Sequence, residues 1–236
     1  MKRRMFIAMA FAGMGIVAQA QDTKVKKEPK GKPIIQVFAN LHTGFGAEKD
    51  DRGFELERSY LGYEYNLGKG LSVKGVADIG KSSKVDDYHR IFYVKNALVQ
   101  WKKGKLTLAG GLISTTQFNF QEKFWDYRYV MKSFQDKYKF GSSADLGVSA
   151  SYKFTDWFSA DAIIVNGEGY KKIQVKDGFN YGLGMTLTPV KGFQIRLYGG
   201  LNEAAEEGKK NIVNMAAFVG YKTERFTVGA EYSHMW

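Results

Sequence analysis

Apolar and polar residues alternate one by one along most of this chain. Leu146, Val148 and Tyr152 interleave with Asp145, Ser149 and Lys153, and Leu183, Met185 and Leu187 with Gly182, Gly184 and Thr186. A two-residue beat is the signature of β-strands with one apolar and one polar face. It recurs over eleven segments: 33–46, 54–67, 71–81, 91–102, 105–117, 143–154, 158–167, 179–188, 193–202, 212–222 and 225–236. Most run about 10 to 13 residues, enough to cross a bilayer's hydrocarbon core at a tilt of about 45°. Soluble strands average about 5 to 6 residues.

The connections alternate as well. Gly68-Lys69-Gly70, Lys103-Gly104, Thr155-Asp156-Trp157, Pro189 to Gly192 and Thr223-Glu224 are short, whereas 47–53, 82–90, 118–142, 168–178 and 203–211 are longer. Bacterial barrels have short periplasmic turns and long external loops, an asymmetry that a soluble barrel does not need. The pattern therefore predicts an all-β fold, an antiparallel transmembrane β-barrel with 11 to 12 strands visible and a short helical third external loop.

The phase of each strand assigns its faces. Leu61, Tyr63, Tyr65 and Leu67 point outward, with Leu71, Val73, Ala77 and Ile79 on the next strand and Phe193, Ile195, Leu197 and Leu201 later. The opposite phase places Arg58, Glu64, Lys74, Asp78, Asp145, Lys153 and Arg196 in the lumen as pore-lining candidates, with Tyr198 beside Arg196. A charged side chain at the bilayer midplane costs about 2–4 kcal/mol, so the charged phase faces water. Lys95 shares a phase with Ala97, Val99 and Trp101, which predicts either an interfacial position or a bulge in that strand. Aromatic residues collect near the short turns (Tyr63, Tyr65, Trp101, Tyr152, Phe154, Trp157, Phe193, Tyr221 and Phe226) and are expected to form the periplasmic girdle.

The longest connection, 118–142, changes period. Phe124, Tyr127, Met131, Phe134 and Tyr138 recur at helical spacing among charged residues, which predicts a short amphipathic helix. Folded inward, such a segment packs its apolar stripe on the inner wall and presents Glu122, Asp126, Arg128 and Lys132 as constriction candidates. Charged rings at a narrow point are how pores discriminate solutes. An external cap or a surface loop is the alternative, and the rarity of long unstructured loops in compact folds favours the inward reading.

Composition adds the compartment. Lys2, Arg3 and Arg4 precede an apolar run from Met5 to Val17 and a small-x-small site at Ala18-Gln19-Ala20, so residues 1–20 read as a signal peptide cleaved near Ala20. Residues 21–33 are a flexible basic leader, and 34–236 are the barrel. Removing Lys2, Arg3 and Arg4 lowers the formal charge from +11 to +8, a field that favours anions in a confined space. The absence of cysteine excludes disulfides and a lipidated N-terminus. Export and the lack of a recognition motif argue against a nucleic-acid partner.

Catalytic and metal signatures are not found. His42, His89 and His234 have no ligand-like spacing. Ser233 and His234 are neighbours on a strand and point to opposite faces, and no Gly-x-Ser-x-Gly elbow occurs. Gly44-Phe45-Gly46 and Gly110-Gly111 lie in strands, where glycine relieves crowding or permits bending rather than cradling phosphate. The expectation is a non-enzyme without cofactor or metal.

Several short motifs resemble the phosphate-selective porin O/P-like family of outer-membrane barrels. They are Phe54-Glu55-Leu56-Glu57-Arg58-Ser59-Tyr60-Leu61, the acidic Asp78, Ala97-Leu98-Val99-Gln100-Trp101, Leu108-Ala109-Gly110-Gly111-Leu112, Glu122 with Trp125-Asp126-Tyr127-Arg128, and Asp145-Leu146-Gly147-Val148. The resemblance covers roughly 34–200 and implies a diffusion channel, often trimeric, with anions such as phosphate preferred. The dense lysine and arginine array that confers phosphate preference has no match here, and the chain is shorter than a sixteen-stranded member requires.

The odd strand count carries its own expectation. With the N-terminus periplasmic, eleven strands leave Trp236 on the outer side, whereas bacterial barrels have even counts. Missing C-terminal strands, a strand hidden in 118–142, or two segments wrongly divided would each restore parity. Phe226, Val228, Ala230, Tyr232 and Trp236 form an alternating terminal strand with an aromatic end, which His234 interrupts. The direction of the last strand favours a C-terminally incomplete barrel. The expected function is an outer-membrane porin-like channel for passive diffusion of small hydrophilic solutes, in outer-membrane lipid and as a homotrimer. The alternative is a non-conducting structural or adhesive barrel.

Overall fold

The computed structural model describes residues 30–43, 52–81, 89–128, 131–172, 178–204, 206 and 208–236. The signal segment 1–20, leader residues 21–29 and Gly44-Phe45-Gly46 lie outside the described residues. Eleven strands form one sheet in chain order, every pair antiparallel. They are β1 (Gly31–Thr43), β2 (Arg52–Gly68), β3 (Leu71–Gly80), β4 (Ile91–Lys103), β5 (Leu106–Ser114), β6 (Ala144–Lys153), β7 (Phe158–Val165), β8 (Asn180–Leu187), β9 (Phe193–Asn202), β10 (Ile212–Lys222) and β11 (Thr227–Met235). Two short helices, α1 (Asn119–Trp125) and α2 (Phe134–Lys137), stand between β5 and β6. No strand occurs among the described residues of 118–142, so the expectation of a strand hidden there is not met among them.

The alternation sorts side chains as read from the sequence. Leu61, Val99, Val148, Leu183, Leu197 and Val219 stand exposed on the outer face, Leu183 at 69%. Tyr60, Asp78, Asn96, Asp145, Arg196 and Asn214 are buried on the inner face. Rows of exposed large apolar side chains around a whole sheet are foreign to a water-soluble surface, and they are what hydrocarbon requires. This inverted distribution is that of a membrane-spanning β-barrel. At the short-turn end the aromatics cluster as expected, with ring centroids 4.9 Å apart for Tyr152 and Phe154, 5.1 Å for Phe154 and Phe158, and 6.0 Å for Tyr221 and Phe226.

The awkward phase of Lys95 resolves as a bulge. On β3 the consecutive residues Val76 and Ala77 pair with Asn96 and Val94, so Lys95 is the extra residue. The insertion turns both Lys95 and Asn96 inward while Val94, Ala97 and Val99 keep the outer phase, which is how a bulge re-aims side chains. A second bulge leaves Glu57 unpaired between the Phe38–Arg58 and Ala39–Leu56 pairs.

The connection between β5 and β6 enters the lumen. Phe124 packs against Phe218 of β10 at 4.9 Å between centroids, and Trp125 approaches Phe218 at 6.0 Å. Gly220 is what admits Phe124, because a Cβ there would lie 2.4 Å from its ring. Lys222 Nζ donates to the Phe124 carbonyl at 3.0 Å, and Asn214 Nδ2 to the Phe140 carbonyl at 3.3 Å. The single amphipathic helix does not form. Asp126, at φ 60°, adopts the left-handed conformation and ends α1, one that Asp tolerates better than most residues. The turn sends the chain elsewhere, so Phe118, Gln121, Phe124 and Gln135 are buried. Of the expected stripe, Tyr127, Met131, Phe134 and Tyr138 are left exposed.

Candidate functional site

Three inner-wall residues bind the lumen together, and each lies at a strand position whose phase points inward. Arg196 of β9 is the first. Its Nη1 donates to Asp161 Oδ2 at 2.5 Å and Thr186 Oγ1 at 3.0 Å. Its Nη2 donates to Asp161 Oδ1 at 3.0 Å and to the Thr116 carbonyl at 2.6 Å. The bidentate fork joins β7, β8, β9 and the start of the inserted loop, a geometry that Lys cannot reproduce. Gly184 on β8 makes room for it, since a Cβ would come within 2.3 Å of Nη2.

Asp145 of β6 is the second. It accepts the backbone N–H of Leu146 at 2.7 Å, Gly167 at 2.8 Å and Gly169 at 3.0 Å, and so draws the β7–β8 connection inward. That connection carries Tyr170, which packs with Leu112 and Ala144 and donates to Asp78 Oδ2 at 2.5 Å. Burial, followed by the neighbouring Asp78 carboxylate, holds the Tyr170 hydroxyl well above the ordinary phenol range. It remains a donor at any physiological pH.

The third is Arg58 of β2, whose Nε lies 3.2 Å from Asp78 Oδ1 and whose Nη1 donates to Tyr60 Oη at 3.2 Å. The bulged Lys95 donates to the same phenol at 2.8 Å and sits 4.1 Å from the centre of its ring. Two cations, one buried phenol and one buried carboxylate thus share a patch on β2, β3 and β4.

The loop supplies the facing charges. Arg128 bridges Glu122 and Asp136, with Asp136 Oδ2 at 2.7 Å. Burial pushes Glu122 up from the usual carboxylate range even against the pull of Arg128. The two acids outweigh the cost of burying the guanidinium, so Arg128 stays charged. A polar cavity of about 330 Å³ lies beside Arg128 and is bordered by Arg58, Lys81, Glu55, Glu57, Arg128 and Lys132. Two further cavities lie elsewhere along the sheet. One of about 290 Å³ toward the long connections is bounded by Tyr198 and Asn214. The other, of about 340 Å³, lies toward the short turns and is bounded by Lys105, Lys153 and Asp161. Arg196 is bonded to Asp161 of the latter and lies two residues from Tyr198 of the former.

The sequence-derived candidates divide accordingly. Arg58, Asp78, Asp145 and Arg196 on the wall, with Glu122 and Arg128 on the loop, hold the interior together. Glu64 and Lys74 are cross-strand partners nearer the short turns. Lys153 is exposed at the short-turn mouth, paired with Asp156 at 2.8 Å, so it belongs to the rim rather than the lumen interior. Asp126 is an exposed helix terminus and not a constriction charge, and Lys132 is exposed at the cavity edge. Sequence reasoning missed Lys95, Tyr60, Asp161 and Tyr170. The phase conflict at Lys95 was the one visible signal.

No family model matches this chain, and no curated protein does. Among solved structures it is similar to OmpTdeltaL8, a loop L8 deletion mutant of OmpT, an outer membrane protein of Vibrio cholerae. The identity is 15%, the match covers 88% of this chain and 82% of that one, and the TM-score is 0.43. A likeness of that order touches neither solute nor activity. It does correct one expectation. Similarity to a protein described only as an outer membrane protein gives no ground for excluding catalysis, so the reading of the chain as a non-enzyme is withdrawn.

Proposed function

We propose that this barrel is a porin-like channel for passive diffusion of small hydrophilic solutes, with a preference for anions. The supporting observation is the polar cavity between the inserted loop and β1–β3. Arg58, Lys81, Arg128 and Lys132 border it against Glu55 and Glu57. Arg58, Lys81 and Arg128 are each paired with acids, so the cavity supports a polar path for hydrophilic solutes. The anion preference draws on the chain's formal excess of basic residues. The family resemblance adds two finer proposals, phosphate among the permeant anions and a homotrimer in outer-membrane lipid. Planar-bilayer recording of the refolded full-length protein is expected to give discrete conductance steps and a reversal potential of anionic sign in a KCl gradient. A silent bilayer removes the channel proposal.

A second reading, a non-conducting structural or adhesive barrel, draws on a different observation. The loop buries Phe118, Gln121, Phe124 and Gln135, and the two further cavities share no lining residue. Insertion of the protein without conductance is the outcome that favours it.

A further inference from the structure

At the long-connection ends of β8, β9 and β10 the inner wall carries neutral amides. Asn180 and Asn202 are register partners, and Asn214 stands opposite Gly200. Each of the three lies in the inward phase of its strand, as does Tyr198, which is buried two positions before Gly200. The inserted loop closes over this corner with Gln117, also buried. Gln117 Nε2 donates to the Phe140 carbonyl at 3.1 Å and Asn214 Nδ2 to the same oxygen at 3.3 Å, so amides of loop and wall meet there. These five side chains border the cavity of about 290 Å³.

Much of their hydrogen-bonding capacity is unused. Asn214 Oδ1 is buried without a partner. Among the described residues, neither the Asn180 and Asn202 side chains nor the Tyr198 hydroxyl bonds to protein. Glycine keeps two of these groups uncovered: a Cβ at Gly167 would lie 2.8 Å from Asn202 Oδ1, and one at Gly200 3.3 Å from Tyr198 Oη. Polar groups shielded from bulk water and left unpaired are costly, so an occupant that satisfies them is favoured.

The chemistry of the wall selects the occupant. Asn, Gln and Tyr side chains each offer a donor and an acceptor. An alcohol hydroxyl does the same through one oxygen and so pairs with any of them. A bare anion only accepts, and the amide oxygens would face it as further acceptors. The charged residues on the border, Lys139 and Glu168, are of opposite sign and give no field that selects an ion. The volume lies at the lower end of the roughly 300–1,000 Å³ typical of small-molecule sites, which suits one sugar ring.

We propose that this cavity is a binding site for a neutral monosaccharide, held by Asn180, Asn202, Asn214, Gln117 and Tyr198. It shares no lining residue with the cavity beside Arg128 that supports the channel reading, and binding there requires no path through the barrel.

Saturation-transfer NMR on the full-length protein in phosphatidylcholine vesicles tests the site, with D-glucose, D-galactose and D-mannose as probes. Transfer to the ring protons of at least one sugar is expected, with a dissociation constant in the millimolar range and no displacement by an equal concentration of inorganic phosphate. Tyr198→Phe removes the hydroxyl and keeps the ring, and Asn202→Leu removes an amide at the half-buried edge of the cavity. Each, measured on its protease-resistant fraction, is expected to weaken binding roughly fivefold to tenfold. Three results overturn the proposal: no transfer to any of the three sugars, wild-type affinity in both variants, or displacement of the sugar by phosphate. A silent bilayer with sugar binding intact removes the channel reading alone.

Discussion

At the scale of single residues, the interior is held by a few charges whose partners are fixed and largely shielded. Arg196 is only 3% exposed and meets Asp161 through both nitrogens of its fork. Removing one member of such a pair strands the other, at a cost of about 3–5 kcal/mol. Arg196→Ala is therefore expected to lower the stability of the refolded barrel by about that amount, read from urea titration in vesicles, and to free the loop start at Thr116. Arg196→Lys is expected to recover only part of the loss, because an ammonium cannot span both carboxylate oxygens. Glu122 gives a pH dependence. Its folded value lies above that of an exposed glutamate because of burial, so docking of the loop is favoured while the carboxyl is protonated and weakens as pH rises through that value. Arg128 stays charged throughout, so protonating Glu122 leaves the triad one unit more positive. Anion selectivity, measured as reversal potential, is expected to rise on acidification from neutral pH, and Glu122→Gln is expected to show the acidic value at all pH.

At the scale of elements, the strands were readable to within about three residues at each end, because a period of two persists through local exceptions. The segment 71–81 became Leu71–Gly80, 193–202 became Phe193–Asn202, and 212–222 became Ile212–Lys222. Even the bulge at Lys95 announced itself as a charge in the wrong phase. The inserted loop was not readable in the same way. Its helical spacing was real over α1, but the end of α1 depends on the backbone of Asp126, and its docking depends on Gly220, nearly a hundred residues further on. No periodicity within 118–142 encodes a vacancy on β10. That vacancy is testable: Gly220→Val is expected to displace Phe124 from the wall, since its Cβ would fall 2.4 Å from the ring. The measured consequence is faster proteolysis of the loop in an otherwise folded barrel. The contacts of Arg58 and Arg196 were likewise half legible. Strand phase gave their direction, whereas Asp161, Tyr60 and Tyr170 as partners follow from register and from a second loop turning inward.

At the scale of the whole molecule, the distribution of surfaces is the inverse of a soluble protein's. Leu183 lies in the middle of β8 on the outer face, and Leu183→Lys is expected to cost about 2–4 kcal/mol of folding into vesicles, scored by the yield of protease-resistant barrel. The interior is a set of pinned charges and small cavities around one inserted loop. That loop leaves the wall after β5 and rejoins it at β6, yet its anchors, Phe218, Gly220 and Lys222, belong to β10. The bond from Lys222 to the Phe124 carbonyl spans 98 residues. Closing a contact of such separation costs more chain entropy than pairing neighbouring strands. The loop is therefore expected to reach its final seat only once β10 has joined the wall.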